Sequence, residues 1–449
     1  DRRALLRTLV AASSEAGDGL PMSADEIEFF RSVSGGREPP RKRVREQWWI
    51  VGRRGGKDSV ISAMATFAAV SFNQQHILRP GEHAHVVCLA CDRAQAKEVL
   101  DLIRAYFTNI ELLQGLVVRE TIEGFELSNR VRIAVLTNSF RAVRGRTVLL
   151  AILDEVAYWR DETSAKPDEA LYDAVKPCLL TLCPHSRLVG ISSPYRKAGL
   201  LWKKYAAHFG KDDDDVLVVQ AASSTMNATL PQEVIDREMA KDRAAAIAEY
   251  GAQFRDDVGG WLPMEIIEAS VARGVTVRAP NRWQEYRSFT DASGGRSDSF
   301  TMCIAHDENG TAVLDCLVEI KPPFNPMEAV AQIASVLREY GLSETTGDRY
   351  AAEFNVSMFA LHGISYRNSD RDRSAIYQDA LPLFTSGRAL ILDIPKLVGQ
   401  FVSLERKTSP NGRDSINHPP GGHDDLCNSA AGALVAASAP DRRPRLYFS

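Results

Sequence analysis

A glycine-rich turn near the start of the chain has the residue types that bind phosphate groups. It lies in the run WWIVGRRGGKDS, Trp48–Ser59, between an apolar stretch and a helical one. In such a turn the backbone N–H groups surround the phosphates, a lysine contacts the β- and γ-phosphates, and a Ser or Thr hydroxyl holds Mg²⁺. Asp58 replaces that hydroxyl residue, so either Asp58, acting through water, or Ser59 could serve Mg²⁺. The predicted phosphate-binding residues are Gly52, Arg53, Arg54, Gly55, Gly56, Lys57, Asp58 and Ser59.

A second element downstream is an apolar strand that ends in two acidic residues. The run Val148–Leu153 is followed by Asp154 and Glu155. Beside a phosphate-binding turn, such an Asp can hold the water shell of Mg²⁺ and such a Glu can polarise the attacking water. A further strand-like run ends at Ser192–Pro194, where a sensor of the γ-phosphate would lie. Together these elements predict a site that binds and hydrolyses ATP with Mg²⁺.

Aspartates in the second half of the chain have the pattern of a metal-dependent nuclease. Asp291 ends the run SFTD, Asp348 precedes RYAAEF, and Asp424 and Asp425 open a late helical run. Cleavage of a phosphodiester by two metal ions requires carboxylates that hold both ions about 4 Å apart. The order of strand Asp, hairpin strands, helix, strand Asp and late helix Asp is that of an RNase H-like nuclease. Whether Asp424 or Asp425 binds metal stays open. Secondary candidates are Asp298, Asp315, Glu353 and His423.

The elements that would position the first set of residues alternate between strands and helices. Several strands are apolar on both faces, which is typical of a parallel sheet covered by helices on both sides. The predicted strands are 47–52, 83–90, 130–137, 148–154 and 187–193, and the predicted helices are 58–71, 92–107 and 169–182.

The pattern changes after Asp256–Pro263, DDVGGWLP, which follows a predicted long helix over Pro231–Phe254. Three strands joined by tight turns, a helix over Pro326–Tyr340 and a fourth strand at RYAAEF predict a mixed sheet. The sequence therefore predicts an α/β chain of two domains. Residues 1–255 would form a mostly parallel sheet with an N-terminal helical lead-in, 256–264 a linker, and 265–449 a mixed-sheet domain.

Composition limits the class of protein. With 45% hydrophobic and 25% charged residues among 449, the chain has the composition of a soluble globular protein. Its apolar runs are shorter than the roughly 18–20 residues of a membrane span, and we interpret the basic, apolar N-terminus as a helix. The net charge of −4 neither supports nor excludes a nucleic-acid partner. Cys88 and Cys91, at the end of a strand-like run, are interpreted as buried thiols rather than metal ligands, and the odd, scattered set of seven cysteines predicts a reduced, intracellular protein.

From about Trp48 to Val435 the chain resembles the large terminase subunit of tailed double-stranded DNA bacteriophages. The motifs that carry this resemblance are VGRRGGKDS, CLACDRAQAKEVL, VRGRTVLLAILDEVAYW, GISSPYRKAGLLW, TDASGGRSDSF, GDRYAAEF and GGHDDLCNSAAGA. It implies an N-terminal ASCE-type, RecA-like P-loop ATPase domain and a C-terminal RNase H-like endonuclease domain. Lys57 would bind phosphate, Asp154 Mg²⁺, and Glu155 would be the catalytic base. The implied coupling motif is Ser192, Ser193 and Pro194, and the implied metal-binding residues are Asp291, Asp348 and one or both of Asp424 and Asp425.

The resemblance also implies cofactors and partners. The cofactors are ATP with Mg²⁺ at the first site and two Mg²⁺ or Mn²⁺ ions at the second. The partners are double-stranded DNA, a small terminase subunit, the portal protein of the procapsid and further copies of the chain, expected as a pentamer with an arginine finger supplied in trans. The chain would act in the host cell cytoplasm and would not be retained in the mature virion. An alternative is a helicase-like repair ATPase fused to a nuclease, although motifs of a second RecA-like half are not found after Ser193.

Overall fold

The computed structural model describes residues 22–40, 44–90, 93–121, 123–137, 143–159, 167–296, 298–348, 352–409 and 413–439. The chain divides into two compact units between Asp257 and Val258. Within the described ranges, the helices are too short or too polar to cross a membrane. The six cysteines in the same ranges carry free thiols.

The first unit contains one eight-stranded sheet. Its strands are β1 (Glu46–Val51), β2 (Ala84–Ala90), β3 (Val117–Thr121), β4 (Gly124–Leu127), β5 (Val131–Thr137), β6 (Thr147–Asp154), β7 (Arg187–Ser192) and β8 (Val216–Ala221). Its helices are α1 (Ala24–Val33), α2 (Lys57–Val70), α3 (Arg93–Asn109), α4 (Pro167–Leu179), α5 (Gly199–His208), α6 (Ser223–Met226), α7 (Gln232–Lys241) and α8 (Arg243–Glu249). The strand order is β3–β4–β5–β2–β6–β7–β1–β8.

The central strands of this sheet are parallel and buried on both faces. The six neighbouring strands β5–β2–β6–β7–β1–β8 pair in parallel, and β3 and β4 add two antiparallel strands beside β5. Because successive side chains of a strand point to opposite faces, Trp48 and Ile50 join one apolar core while Trp49 and Val51 join the other. This order places β7 between β1 and β6. The glycine loop, Ser192 and Asp154 therefore lie side by side at the carboxyl ends of these three parallel strands.

The long helix predicted over 231–254 is instead two helices, α7 and α8. The break falls at Asp242, whose extended backbone has φ −147°. Its carboxylate accepts a hydrogen bond from the Ala245 N–H at 3.1 Å. An Asp that caps a new helix in this way competes with the continuation of the preceding one.

The second unit contains a seven-stranded sheet and a three-stranded one. Its strands are β9 (Val258–Gly260), β10 (Val271–Ala272), β11 (Tyr286–Asp291), β12 (Phe300–Glu308), β13 (Thr311–Ile320), β14 (Glu344–Gly347), β15 (Ser365–Asn368), β16 (Ala389–Leu392), β17 (Glu405–Thr408) and β18 (Asp414–Asn417). Its helices are α9 (Met264–Ala269), α10 (Pro326–Glu339), α11 (Ala352–Leu361), α12 (Arg373–Thr385), α13 (Pro395–Ser403) and α14 (Asp425–Ser438). The orders are β10–β16–β13–β12–β11–β14–β15 and β18–β17–β9.

The larger sheet is mixed, as predicted. Strands β11, β12 and β13 form an antiparallel meander, and β14 pairs in parallel with β11. The β12–β13 turn contains Asn309 and Gly310 with φ 54° and 86°, the left-handed conformation that a two-residue hairpin turn requires. Helix α14 packs on one face of this sheet and α10 on the other. The predicted fold class, a mostly parallel α/β sheet followed by a mixed one, is confirmed.

Two predicted boundaries differ from the structure. The fourth strand is β14, upstream of RYAAEF, and Ala352 already begins α11, while residues 349–351 lie outside the described ranges. Most of the predicted linker 256–264 belongs to the second unit, because β9 pairs with β17 and Trp261 is buried in the core. The paired glycines Gly259 and Gly260 suggested a linker, but they are exposed residues of strand β9.

Candidate nucleotide and metal sites

The turn after β1 has the backbone conformation of a tight loop that opens a helix. Arg54 and Gly56 adopt left-handed backbone with φ 62° and 83°. A side chain on Gly52 would collide with Ser223, because the added Cβ would lie 2.3 Å from Ser223 Oγ. The N-terminus of α2, with its unpaired N–H groups, follows directly and favours an anion.

Lys57, the first residue of α2, is buried and paired with Glu155. Its Nζ lies 2.7 Å from Glu155 Oε1 and 3.9 Å from Asp58 Oδ1. Burial lowers the pKa of Lys57, but Glu155 and Asp58 outweigh burial and raise the pKa above its ordinary value. Lys57 is therefore charged at neutral pH, which is the state that binds phosphate.

Glu155 connects this lysine to the predicted coupling motif, Ser192–Pro194. Its Oε2 accepts hydrogen bonds from Ser192 Oγ at 3.0 Å and from the Ser193 N–H at 3.2 Å. Glu155 also has φ 51°, a left-handed conformation that costs a non-glycine residue about 1–3 kcal/mol. Ser192, Ser193 and the following Pro194 are all buried. A single carboxylate thus lies between the lysine and the buried end of β7.

Asp154 has the properties of a cation ligand. It is 2% exposed, and its Oδ1 has no hydrogen-bond partner within the described part of the chain. Burial, followed by the nearby Glu155 and Asp58, raises the pKa of Asp154 to about 8. A buried carboxylate oxygen without a partner, among other carboxylates, fits a hard divalent cation such as Mg²⁺.

Asp58, rather than Ser59, is turned toward these groups. Asp58 is half-buried and within 3.9 Å of Lys57, whereas Ser59 is exposed. Burial and the neighbouring Glu155 raise the pKa of Asp58 above its ordinary value, although Lys57 opposes this. The eight loop residues, Asp154, Glu155 and Ser192–Pro194 are called the nucleotide site from here on.

The end of the first unit contacts both sides of the nucleotide site. The Arg53 N–H donates to the Glu249 carbonyl at 2.5 Å, and the Arg53 guanidinium lies 3.2 Å from the Glu249 carboxylate. The Arg255 N–H donates at 2.7 Å to the carbonyl of Tyr195, a residue that follows Ser193 by two positions. The Arg53 side chain is thus already paired with a carboxylate.

In the second unit, Asp291 and Asp348 lie at the ends of two neighbouring parallel strands. Asp291 ends β11 and Asp348 directly follows β14. Both accept a hydrogen bond from the same atom, Asn428 Nδ2, at 2.8 Å for Asp291 Oδ2 and 2.9 Å for Asp348 Oδ2. Two aspartates that are far apart in sequence are therefore brought together by one amide of α14.

Asp425 lies near this pair. Burial and the adjacent Asp348 raise the pKa of Asp291 well above its usual range, and Asp425 raises it further. Burial also raises the pKa of Asp348 and of Asp425. Asp425 Oδ2 accepts the Ser299 N–H at 3.3 Å. Asp291, Asp348 and Asp425 are called the carboxylate cluster.

Asp424 is occupied by other partners. Its Oδ1 lies 2.7 Å from Arg373 Nη1, and its Oδ2 accepts the Tyr377 hydroxyl at 3.0 Å. It is 1% exposed. Of the two adjacent aspartates, Asp425 is therefore the better candidate for metal binding, and Asp424 holds α12 against the start of α14.

The donor atoms of the cluster fit a hard divalent cation, which prefers carboxylate and amide oxygens. Asn428 Oδ1 is buried without a hydrogen-bond partner within the described ranges. In these same ranges, no three His, Cys, Asp or Glu side chains are already close enough together to form a metal site. The residue types of the carboxylate cluster therefore suit a cation, and hydrogen bonds hold Asp291 and Asp348 together, but the three carboxylates are not yet within metal-binding distance of one another.

The secondary candidates divide into two groups. His423 and Asp298 lie 3.5 Å apart at the surface and border Asp425. Asp315 is buried and hydrogen-bonded to His306 at 2.6 Å, and Glu353 is exposed on α11.

Sequence reasoning missed three residues that organise the predicted metal-binding aspartates, namely Asn428, which bonds Asp291 and Asp348, and Arg373 and Tyr377, which bond Asp424. Asn428 follows Asp424 by one helical turn, so the helical period provided a signal for it. Arg373 and Tyr377 reach Asp424 from a distant helix, and nothing in the local pattern indicates that contact.

No protein-family model matches the chain, and no curated protein matches it. Solved structures of phage large terminases do match. The crystal structure of the HK97 bacteriophage large terminase is 17% identical, with a TM-score of 0.39, over 97% of this chain and 100% of that one. A large terminase from a thermophilic bacteriophage in complex with ADP is 14% identical, with a TM-score of 0.40, over 87% and 93%. The large terminase nuclease from thermophilic phage G20c with bound magnesium is 15% identical, with a TM-score of 0.33, over 38% and 95%. The matched structures are from the family that the sequence motifs resemble.

Proposed function

We propose that this chain is a subunit of a viral DNA-packaging motor. ATP hydrolysis in the first unit would drive double-stranded DNA into a procapsid, and a two-metal endonuclease in the second unit would cut the concatemeric genome. The observation that supports this most is the presence of two separate sites in one chain. One joins Lys57 through Glu155 to Ser193, and the other brings Asp291 and Asp348 onto one amide.

In the nucleotide site, Lys57 would exchange Glu155 for the phosphates of ATP. Glu155 Oε1 is then free to accept a proton from the attacking water, as a general base must. Because Glu155 Oε2 is bonded to Ser192 and Ser193, its reorientation would move the coupling motif. Asp154, with Asp58 nearby, would hold Mg²⁺, which would supply positive charge to neutralise the phosphates.

In the second unit, Asp291, Asp348 and Asp425 would hold the divalent ions. When bound, such ions would supply the activation of a water and the stabilisation of the leaving oxygen of the phosphodiester. Arg373 lies partly exposed beside the cluster. Burial lowers the pKa of Arg373, but Asp424, Asp291 and Asp348 outweigh burial and raise it. We propose that this charged side chain binds a DNA phosphate.

The partners of the motor follow from the resemblance of the motifs. We propose that the chain acts with a small terminase subunit and with the portal protein, as a pentamer, in the cytoplasm of the infected host cell. The helicase-like alternative requires a second parallel RecA-like half, and the described part of the second unit is a mixed sheet instead. Robust ATP-dependent unwinding of duplex DNA would favour that alternative.

A pair of variants of the full chain tests the proposal. Glu155→Gln should lower ATP turnover about 10²- to 10⁴-fold, because the base is lost, while nucleotide binding and Mn²⁺-dependent plasmid nicking persist. Asp291→Ala should keep ATPase activity and stop nicking. ATP hydrolysis at the wild-type rate by Glu155→Gln, or nicking at the wild-type rate by Asp291→Ala, would remove that residue from its site.

A further inference from the structure

Asn428 occupies the position between the two aspartates that a cation would be expected to take. Its Nδ2 donates one N–H to Asp291 Oδ2 and the other to Asp348 Oδ2. A primary amide has two N–H donors on one nitrogen, so this contact uses both of them. The partial positive charge of the NH₂ group thus lies between two oxygens that carry or share negative charge.

The packing of α14 puts the amide there. Gly432, one turn after Asn428, faces the Phe289 ring of β11, and a Cβ on Gly432 would lie 2.3 Å from Phe289 Cγ. Only a residue without a side chain allows the helix to approach β11 so closely. Residues four apart lie on the same face of a helix, so Asn428 is directed at the end of β11, where Asp291 lies.

The other half of the amide has no bonding partner in the described ranges. Asn428 is fully buried, and its Oδ1 lacks a hydrogen bond. Leaving a buried amide oxygen unpaired is unfavourable, because the lost hydrogen bonds to water are not replaced. An amide carbonyl oxygen is also a normal ligand of Mg²⁺-like ions, so the orientation that satisfies the aspartates leaves a potential ligand unused.

We infer that Asn428 is a positioning residue of the metal site, which holds Asp291 and Asp348 side by side before a divalent cation binds and thereby sets the affinity for that cation. This inference rests on the proposed nuclease function. When the two Oδ2 atoms bind a cation, the Asn428 amide must turn its N–H groups away from them. The same rotation of the amide would direct Oδ1 toward the cation. Asn428 would thus use its N–H groups when the site is empty and its carbonyl oxygen when a cation is bound.

The test measures Mn²⁺ binding by electron paramagnetic resonance and plasmid nicking across a Mn²⁺ titration. Both are done in the full chain carrying Asp154→Asn, which removes the proposed cation ligand of the nucleotide site. Adding Asn428→Leu, which loses the N–H donors and the oxygen, should weaken Mn²⁺ binding about 10- to 100-fold, as loss of a supporting partner does. Much of the nicking rate should return at high Mn²⁺, because Asp291, Asp348 and Asp425 remain.

Two further variants separate this role from a structural one. Ser429→Ala, at the next residue of α14, removes a buried hydroxyl bonded to Cys303 and to the helix backbone and should leave Mn²⁺ affinity unchanged. Asn428→Asp keeps a ligand oxygen and loses the donors. It should lower the melting temperature without Mn²⁺ and show a larger stabilisation by Mn²⁺ than the parent.

Three outcomes would contradict the inference. Mn²⁺ affinity of Asn428→Leu equal to that of the parent would overturn it, as would equal weakening by Ser429→Ala. If Asn428→Leu does not fold, a Mn²⁺ stabilisation of Asn428→Asp no larger than that of the parent would overturn it as well. A parent chain that neither binds Mn²⁺ nor nicks DNA would instead remove the proposed nuclease function, which is a distinguishable failure.

Discussion

At the scale of single residues, Asp58 stands where a phosphate-binding loop usually has a hydroxyl. The structure places it near Lys57 and raises its pKa through burial and Glu155. It also contributes to the raised pKa of Asp154. A carboxylate at this position adds negative charge to the proposed Mg²⁺ site, whereas a hydroxyl adds none.

Replacing Asp58 should therefore change the Mg²⁺ concentration that ATPase activity requires more than the ATP concentration that it requires. We expect Asp58→Ala to raise the Mg²⁺ concentration for half-maximal ATPase activity about tenfold or more, the loss typical of a metal-site partner. Asp58→Ser should raise this Mg²⁺ concentration less than Asp58→Ala does, because a hydroxyl can also hold Mg²⁺. The matched control is Ser59→Ala at the exposed neighbour. A shift in Mg²⁺ requirement with Ser59→Ala and none with Asp58→Ala would assign the role to Ser59.

His85 gives the first unit a pH dependence of its own. Burial, followed by the charge of Arg146, lowers the pKa of His85 to about 4 from an ordinary value of 6.5. The folded state therefore keeps His85 neutral while the unfolded chain takes up a proton. The stability that neutral His85 allows is fully present above pH 6.5 and is lost as the pH falls toward 4.

The expected loss between pH 6.5 and pH 4 is about 3 kcal/mol from this residue, at 1.36 kcal/mol per pKa unit. His85→Gln keeps a donor for the Thr147 carbonyl and does not titrate. Its urea-unfolding free energy should fall less steeply with decreasing pH than that of the wild type. Parallel curves for the two proteins would show that His85 does not titrate as described.

Residue types and order were enough to select most of the residues that the structure brings together in the two candidate sites. The lysine, the acidic pair after β6 and the isolated aspartates were found because each lies at a strand end or a helix start, which sequence patterns reveal. The choice between Asp424 and Asp425 could not be made, since it depends on Arg373 and Tyr377 reaching Asp424 from α12. Such contacts across the fold leave no trace in local periodicity.

At the scale of elements, helix α14 depends on a single glycine for its position. Gly432→Ala should destabilise the second unit by about 1–3 kcal/mol, the cost of overpacking, because the new Cβ collides with the Phe289 ring. The same displacement should withdraw Asn428 and weaken Mn²⁺ binding. Thermal unfolding and a Mn²⁺ titration measure both effects.

The matched control is Gly259→Ala, where an added Cβ meets no atom within 4 Å. We expect this variant to keep the melting temperature and the Mn²⁺ affinity of the wild type. A Gly432→Ala protein with the stability of the Gly259→Ala protein would contradict the close approach of α14 to β11.

Strands that are buried on both faces were predicted well, because a continuous apolar run has few other interpretations. Strand β14 was placed too late, since its residues Glu344–Gly347 are polar or small and the following RYAAEF is more apolar. Its place in the sheet depends on pairing with β11 and β15, and that information is not local.

At the scale of the whole molecule, the boundary between the units determines which fragment can fold. A fragment beginning at Val258 keeps β9 and Trp261, which stacks on Phe401 with ring centroids 5.8 Å apart. A fragment beginning at Glu265 loses both. Loss of a buried Trp costs about 3–5 kcal/mol, so the shorter fragment should melt at a clearly lower temperature.

The longer fragment, Val258–Ser449, should nick plasmid with Mn²⁺ and without ATP. Thermal unfolding of the two fragments, with nicking assayed below both transitions, checks this prediction. Equal melting temperatures would show that the segment before Glu265 is a linker after all.

The peptide that leaves the first unit is anchored twice beside the nucleotide site, at Arg53 through Glu249 and at Tyr195 through Arg255. Glu155 is bonded to the turn that contains Ser193 and leads into Tyr195. The segment that ends the first unit just before Val258 is therefore held by backbone groups that border the candidate nucleotide site on two sides.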